Sequence, residues 1–278
     1  MRTIAVLLTV HNRKEKTLQC LCNLYRQTIP AGYVIDVYLT DDGCTDGTPE
    51  AVKEQFPQVN IVPGDGTLFW NRGMFTAWKK AAETKDYDAY LWLNDDTFLN
   101  DGALAILIKT SEEKNSRCVI IGATVDSRTR KTVTYGGRLH GKGVAPLDGR
   151  LQRVDYFNGN IVLVPSVVYH AIGNLDYYFT HSKGDFDYGL RAAKAGIEMC
   201  QVGEALGECD EHPALDKWCN PDVPFIQRWK MLHRPNGMPP KETFHLERRY
   251  YGIAAAAFHW VTIHVRCMFP VLWKHRHH

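Results

Sequence analysis

Short runs of consecutive apolar residues alternate with stretches of helical periodicity along the first two thirds of the chain. Ile4-Ala5-Val6-Leu7-Leu8-Thr9-Val10 is continuous enough for a strand buried on both faces. Leu18, Leu21, Cys22 and Tyr25 follow at helical spacing, and Asn12, three residues before Glu15, makes a helix start close to a capping box. Pro30 and Gly32 end that helix. Val34 to Thr40 reads as a second strand and Val59 to Val62 as a short third one, with a capped helix between them. A helix from Phe69 reaches Thr84, the apolar run Ala89 to Leu93 is the next strand, and a helix covers Asp101 to Lys114. Helical segments separating apolar strands predict crossover connections and a parallel sheet.

The second half is less regular. Val119 to Ala123 reads as a strand, Lys131 to Tyr135 alternates like an edge strand, and the glycine-rich span to Gly149 reads as a loop or hairpin over the site. Ile161 to Val164 is a strand closed by Pro165, Ser166 to Ile172 a short helix, and Gly184 opens a helix that stops at Gly196. No repeat, low-complexity tract or linker interrupts the pattern. It therefore predicts one α/β domain over residues 1–215, a Rossmann-like, mostly parallel sheet flanked by helices, and a helical extension over 216–278.

Composition changes this picture little. The 278 residues are 45% hydrophobic and 23% charged, as in a soluble globular protein. A net charge of +2 from scattered Lys and Arg gives no case for nucleic acid. The eight cysteines form no CxxC pair, and cytoplasmic thiols are the expectation. Arg13, Lys14 and Lys16 follow the first apolar run where a cleavage site should be, so no secretion signal is expected. Between Tyr250 and Trp273, His259, His264 and Arg266 interrupt an apolar stretch that falls short of the roughly 20 residues needed to span a bilayer. Two readings of it are open: an interfacial helix touching a membrane peripherally, or a helix packed on the domain.

The candidate chemistry lies at strand ends. Ala89-Tyr90-Leu91-Trp92-Leu93 runs directly into Asn94-Asp95-Asp96, and Val34 to Thr40 runs into Asp41-Asp42-Gly43. Burying ionised carboxylates is costly, so both clusters should sit at the exposed carboxyl edge of the sheet, where open α/β sheets bind ligands. A hard divalent cation prefers such oxygen ligands and can hold phosphates. Ordinary turn and helix capping by these Asp residues is the plainer alternative.

Taken together, these segments resemble the family 2 glycosyltransferases, which have the GT-A fold. Asp41-Asp42-Gly43-Cys44-Thr45-Asp46-Gly47-Thr48 matches an Asp-Asp-Gly-Ser-Thr-Asp-Gly-Thr signature with Cys at the Ser position. Asn71-Arg72-Gly73 is similar to an Asn-x-Gly segment, and Asn94-Asp95-Asp96 falls at the Asp-x-Asp motif with Asn leading. Asn158-Gly159-Asn160 through Val164, then Gly173-Asn174-Leu175-Asp176, resembles the stretch before the acceptor-side acid. Gly184-Asp185-Phe186-Asp187-Tyr188-Gly189-Leu190-Arg191 is similar to Glu-Asp-x-Asp-Leu-x-x-Arg, with Gly184 in place of the Glu. The match covers residues 3 to 212. The subgroup it most resembles contains bacterial enzymes that add rhamnose or related sugars to cell-surface polysaccharides.

The resemblance implies an inverting transfer from a UDP- or dTDP-linked sugar to a glycan or lipid-linked acceptor, in the cytoplasm or peripherally on the inner face of the membrane. Residues 1–100 would form the nucleotide half and 101–215 the acceptor half. Mg²⁺ or Mn²⁺ would sit at Asp96, with His212 as a late metal ligand. Thr9, Asn12, Asp41 and Asp42 would hold the nucleotide, Asn71 and Arg72 its ribose or phosphates, and Asn94 and Asp95 the diphosphate side. Asp185 would be the general base, and Asp187 would orient the helix start or bind the acceptor. Two other classes compete: a sugar-phosphate nucleotidyltransferase, which would want a basic glycine-rich loop where Val10-His11-Asn12-Arg13 stands, and a non-catalytic carbohydrate-binding domain.

Overall fold

The computed structural model describes residues 1–210 and 216–273. The chain divides into two compact units. The first holds Met1–Tyr177 and the stretch from Asp185 to the last strand; the second holds Tyr178–Gly184 and the C-terminal residues.

In the first unit the elements alternate as the apolar pattern predicts: β1 (Arg2–Val10), α1 (Lys14–Tyr25), β2 (Tyr33–Asp41), α2 (Thr48–Gln55), β3 (Asn60–Pro63), α3 (Phe69–Thr84) and β4 (Ala89–Leu93). After β4 come the two-residue β5 (Phe98–Leu99), α4 (Ala103–Glu113), β6 (Val119–Val125), β7 (Val133–Tyr135), β8 (Gly137–Leu139) and β9 (Gly143–Val144). The unit closes with β10 (Gln152–Arg153), β11 (Tyr156–Phe157), β12 (Ile161–Pro165), α5 (Ser166–Ile172), α6 (Gly184–Lys194) and β13 (Met199–Glu208).

Along its main path the sheet runs β10-β13-β6-β12-β4-β1-β2-β3. β3, β2, β1 and β4 are mutually parallel, as crossover helices require. β12 is antiparallel to both β4 and β6, β13 is parallel to β6, and β10 is antiparallel to β13. The amino end of β12 therefore reaches the same edge as the carboxyl ends of β1, β2, β4 and β6. β13 is a strand the apolar pattern does not announce. Gly203 and Glu204 interrupt it, and its register with β6 shifts between Gln201 and Ala205 and again before Gly207.

Side-chain alternation in β1 divides the core. Ile4, Val6, Leu8 and Val10 face α1, α2 and α4, whereas Ala5 and Leu7 face α3, α5 and α6. On the second face Trp78 of α3 meets Trp92 of β4 edge-on at 5.4 Å, and Trp92 meets Tyr188 of α6 at 5.0 Å. α3 lies unusually close to the strands at Gly73, whose carbonyl accepts the Thr40 hydroxyl at 2.8 Å. A Cβ at Gly73 would stand 2.1 Å from Thr9 Oγ1 and 2.8 Å from Thr9 Cβ. Gly73→Ala gains up to about 1 kcal/mol in helix propensity. Relieving that overlap costs about 1–3 kcal/mol, because helix and strand must part. The net expectation is a lower denaturation midpoint. An unchanged midpoint would show that α3 can lift off β1 freely.

The glycine-rich span is built rather than loose: β8 pairs with β9 and β11 in a small antiparallel sheet. The buried Gln201 anchors it, accepting from the Gly137 amide at 2.8 Å and donating to the Ala145 carbonyl at 3.1 Å.

The second unit contains α7 (Phe225–Leu232), α8 (Pro240–Tyr251), α9 (Ile253–Met268) and a 3-10 turn over Pro270–Trp273. The single helix expected over Tyr250 to Trp273 is broken at Gly252, whose φ of +88° favours glycine and ends α8. Trp218, Cys219, Leu232 and Cys267 form its small core. Arg228 lies buried beside that core and donates to the Cys267 carbonyl at 2.8 Å and the Met268 carbonyl at 3.2 Å, tying α7 to the end of α9. Thr180 donates to Glu242, and Tyr178 stacks on His245 at 4.0 Å. None of the described helices is long and apolar enough to cross a membrane.

Candidate functional site

The carboxyl edge of the sheet collects most of the candidate side chains. β4 ends at Leu93, and Asn94, Asp95 and Asp96 follow immediately beyond it, Asn94 and Asp96 partly exposed and Asp95 buried. The Asn94 amide oxygen accepts the Trp70 indole N–H at 2.7 Å, its backbone N–H donates to the Asn160 carbonyl at 3.1 Å, and its carbonyl accepts the Cys20 thiol. Arg13, between β1 and α1, places Nη1 3.2 Å from Asp95 Oδ1 and 2.7 Å from Asp96 Oδ2. Cys209, just past β13, donates its thiol to Asp96 Oδ1 at 3.9 Å. Burial first, and the Asp96 charge second, push that thiol up to about 12, so it remains a donor.

Asp41 and Asp42 stand at the end of β2 on the same edge. Asp42 is buried and accepts three backbone N–H groups, from Gly66 at 2.9 Å, Leu68 at 3.1 Å and Phe69 at 2.8 Å. It thereby holds the loop that starts α3. Asp41 Oδ1 accepts the Cys44 amide at 2.8 Å, and Asp46 accepts from Lys14 and Thr48. Asn12 does not cap α1. It adopts a left-handed φ of 51°, and its side-chain oxygen accepts the Thr45 amide at 2.7 Å, so the first-strand turn and the Asp-Asp-Gly turn are cross-linked. Thr9 lies buried under Gly73.

The acceptor-side candidates arrive through Asn158-Gly159-Asn160, which precedes β12. The Gly159 amide donates to Asp185 Oδ2 at 3.1 Å, and Asp185 Oδ1 accepts the Phe186 amide at 2.8 Å. A Cβ on Gly159 would lie 2.5 Å from the Trp70 ring, so only glycine lets the indole approach. Three consecutive residues thus join the β4 terminus to the first turn of α6. Asp187, two residues after Asp185, points elsewhere. It is fully buried and takes Arg191 Nε at 2.8 Å, while Arg191 also donates to the carbonyls of Ile172 at 2.6 Å and Asn174 at 2.8 Å. Asn71 and Arg72 face the same connecting segment, donating to the carbonyls of Asp176 at 2.8 Å and Tyr177 at 3.0 Å.

The resemblance implies a divalent cation, and the donor set at Asp95 and Asp96 fits one. Two carboxylates meet there, and Asp95 Oδ2 is buried with no hydrogen-bond partner. Burial, partly offset by Arg13, raises Asp95 from its ordinary 3.8 to about 7. The one group of three or more His, Cys, Asp or Glu with converging ligand atoms among the described residues is a different one: Cys118, Glu198 and Cys200, all within 4.8 Å. It sits where β6 and β13 begin, on the opposite edge of the sheet, and Lys114 Nζ already bonds both Glu198 oxygens at 3.1 Å. His212 lies outside the described residues. All eight cysteines are free thiols.

The raised Asp95 has a direct consequence for stability. The folded state holds its proton more tightly than the unfolded chain, so its contribution is complete below pH 4 and is lost as pH rises through about 7. Asp95→Asn has no proton to lose. Its unfolding free energy relative to the parent, measured by denaturation, should therefore climb between about pH 4 and 7, by at most about 1.4 kcal/mol per pH unit, then level off. A difference that stays flat with pH would show Asp95 to be ionised throughout.

No sequence motif marks Arg13 or Cys209, although both touch the Asn94-Asp95-Asp96 turn; Trp70, a sequence candidate for stacking on a sugar face or packing in the core, instead bonds Asn94 through its indole N–H. A basic residue directly after the first strand was the available signal for Arg13. Nothing in the local sequence marks Cys209.

A family model described as "Glycosyl transferase family 2" matches residues 5–185. No curated protein sequence matches. Among solved structures, S. aureus TarS 1-349 in complex with UDP superposes with a TM-score of 0.56 at 15% identity, over 77% of this chain and 61% of that one. S. aureus TarS 1-349 alone gives 0.59 at 12% identity, covering 99% and 73%. Its complex with UDP-GlcNAc gives 0.57 at 13% identity, covering 93% and 73%. This chain therefore spans less than two thirds of the first of these structures. At such identities the likeness concerns the fold, and it is the fold expected from the sequence: a mostly parallel central sheet flanked by helices.

Proposed function

The chain belongs to glycosyl transferase family 2, and from that premise we propose that it moves a sugar, with inversion, from a UDP- or dTDP-linked donor to a glycan or lipid-linked acceptor of cell-surface polysaccharide. The observation that supports this most is the link through Asn158-Gly159-Asn160. One three-residue segment accepts the Asn94 backbone and donates to the Asp185 carboxylate. A diphosphate held at the β4 terminus and a base at the start of α6 are then fixed relative to one another.

In this reading Asp185 accepts the acceptor hydroxyl's proton while that oxygen forms a bond to the anomeric carbon. The bond from the anomeric carbon to the diphosphate oxygen breaks, and the nucleoside diphosphate leaves with its electron pair. Arg13 and the loop around Asn12 line the nucleotide side. Asp96, with Asp95 behind it, would hold Mg²⁺ or Mn²⁺, which when bound neutralises charge on the leaving diphosphate. With Asn94 leading and its amide oxygen engaged by Trp70, the turn has two carboxyl groups where an Asp would make three, and Asp95 holds its proton up to about pH 7, so the diphosphate itself would supply several metal ligands. Asp42, with three backbone donors on its carboxylate, shapes the pocket floor more than it reads a base, whereas Asp41 has the more exposed carboxylate.

A thermal-shift panel of nucleoside diphosphates, with and without Mn²⁺, tests the proposal. UDP or dTDP at a hundredfold excess over Kd should raise the melting temperature by roughly 5–10 °C, and more with the metal than without it. Stabilisation by none of them would remove the basis for a nucleotide-sugar donor.

A further inference from the structure

Exposed apolar side chains are concentrated in the second unit. Phe225 and Ile226 open α7, and Met268, Phe269, Val271 and Leu272 end α9 and its 3-10 turn; Ile226 is 69% exposed and Leu272 70%. Arg228 binds the two groups together. Its guanidinium sits one turn into α7, donates to the carbonyls of Cys267 and Met268, and lies 5.9 Å from the Phe225 ring. Two stretches separated by some forty residues are therefore held as one apolar tip.

Water-facing patches of this kind mark a surface that meets something else. The charge distribution says what. Residues 212–278 carry ten Lys and Arg against four Asp and Glu, whereas residues 1–211 carry 23 against 27. A second copy of the chain docked tip to tip would bring two strongly cationic segments together. A lipid surface rich in anionic headgroups would instead neutralise them, each basic residue near such a surface strengthening binding by about fivefold. No described helix is long and apolar enough to cross a bilayer, so the fitting mode is to lie in the interface. Trp229 and Trp260, both part-exposed on α7 and α9 and both near His264 (ring centroids 5.6 Å and 4.3 Å away), add the amphipathic rings that such interfaces favour.

We propose that the tip formed by the start of α7, the end of α9 and the following 3-10 turn inserts into the headgroup layer of an anionic bilayer. The contact is independent of the transfer chemistry and can be measured without any donor sugar.

The experiment is flotation of the full chain with vesicles of phosphatidylcholine alone and of phosphatidylcholine and phosphatidylglycerol in equal parts. Binding should be strong only to the anionic vesicles and should fall as salt is raised. The double variant Ile226→Ser/Leu272→Ser, both positions being exposed, should keep the parent melting temperature and lose at least about tenfold in partitioning. A second double variant, Lys230→Ser/Lys241→Ser, should lose binding to anionic vesicles alone. Absence of binding to anionic vesicles would overturn the proposal, as would undiminished binding of both variants. If light scattering shows a dimer that Ile226→Ser/Leu272→Ser dissociates, the tip belongs to a self-interface instead, and the proposal is equally overturned.

Discussion

Asp185→Asn should lower kcat by about 10²–10⁴-fold while leaving donor binding unchanged, the loss expected when a general base is removed. The substitution is nearly isosteric. Asn has one acceptor oxygen, which can take the Gly159 amide that now reaches Asp185 Oδ2 at 3.1 Å while its NH2 gives up the Phe186 amide, so the link to the β4 terminus survives and the nucleotide side should not sense the change. The competing role, a carboxylate that merely steadies the first turn of α6, predicts a different outcome. Such interactions are worth about 0.3–1 kcal/mol in stability and nothing in turnover. Steady-state kinetics with donor affinity measured separately distinguishes the two. Retained turnover would strip Asp185 of its role as base and return it to helix capping.

Asp187→Ala should act almost in the reverse sense, lowering stability by about 3 kcal/mol with turnover largely kept at temperatures well below melting. Asp187 is fully buried and is the carboxylate partner of Arg191, which fastens the chain at Ile172 and Asn174. Removing one member of a buried ion pair leaves the other charge in a poor environment, which accounts for the size of the effect. Equilibrium denaturation reads it directly. A fall in kcat with an unshifted denaturation midpoint would instead put Asp187 in contact with the acceptor. The two acids lie in one short motif and differ only by a helical rotation of about 200°, which sends one to the open edge and the other into the core.

That pair illustrates what a sequence can and cannot disclose. Continuous apolar runs and helical spacing announce β1 to β4 and the helices between them, because burial on both faces writes itself into consecutive residues. β13 was not visible because it crosses the sheet with Gly203 and Glu204 in its middle, and the irregular register that accommodates them is a tertiary outcome. The direction of β12 was not visible either, since an apolar run looks the same read either way. At the site, the cost of burying charge locates the paired acids after β2 and β4 at the sheet edge, but it does not foretell that Asp42 and Asp95 are buried there. Their partners were not legible. Arg13 is 82 positions from Asp95 and Trp70 is 24 from Asn94, and such meetings depend on strand order rather than on neighbouring residues. Asn12 is the clearest misreading. Its spacing to Glu15 suggested a cap on α1, but the side chain does more by closing the turn at Thr45, and the helix takes its first stabilising acceptor from Asp46.

The reversed direction of β12 also divides labour along the chain. Everything between the end of β6 and the start of β12 leaves from one edge of the sheet and returns to that same edge, so it forms an excursion fixed at both ends. Its small sheet is fastened through Gln201 and through Phe157 of β11, whose ring lies 5.9 Å from Trp92 of β4. Within residues 126–157, β7 and β10 stay paired with β6 and β13, so what the excursion leaves open to change is its exposed turn at residues 140–142, between β8 and β9.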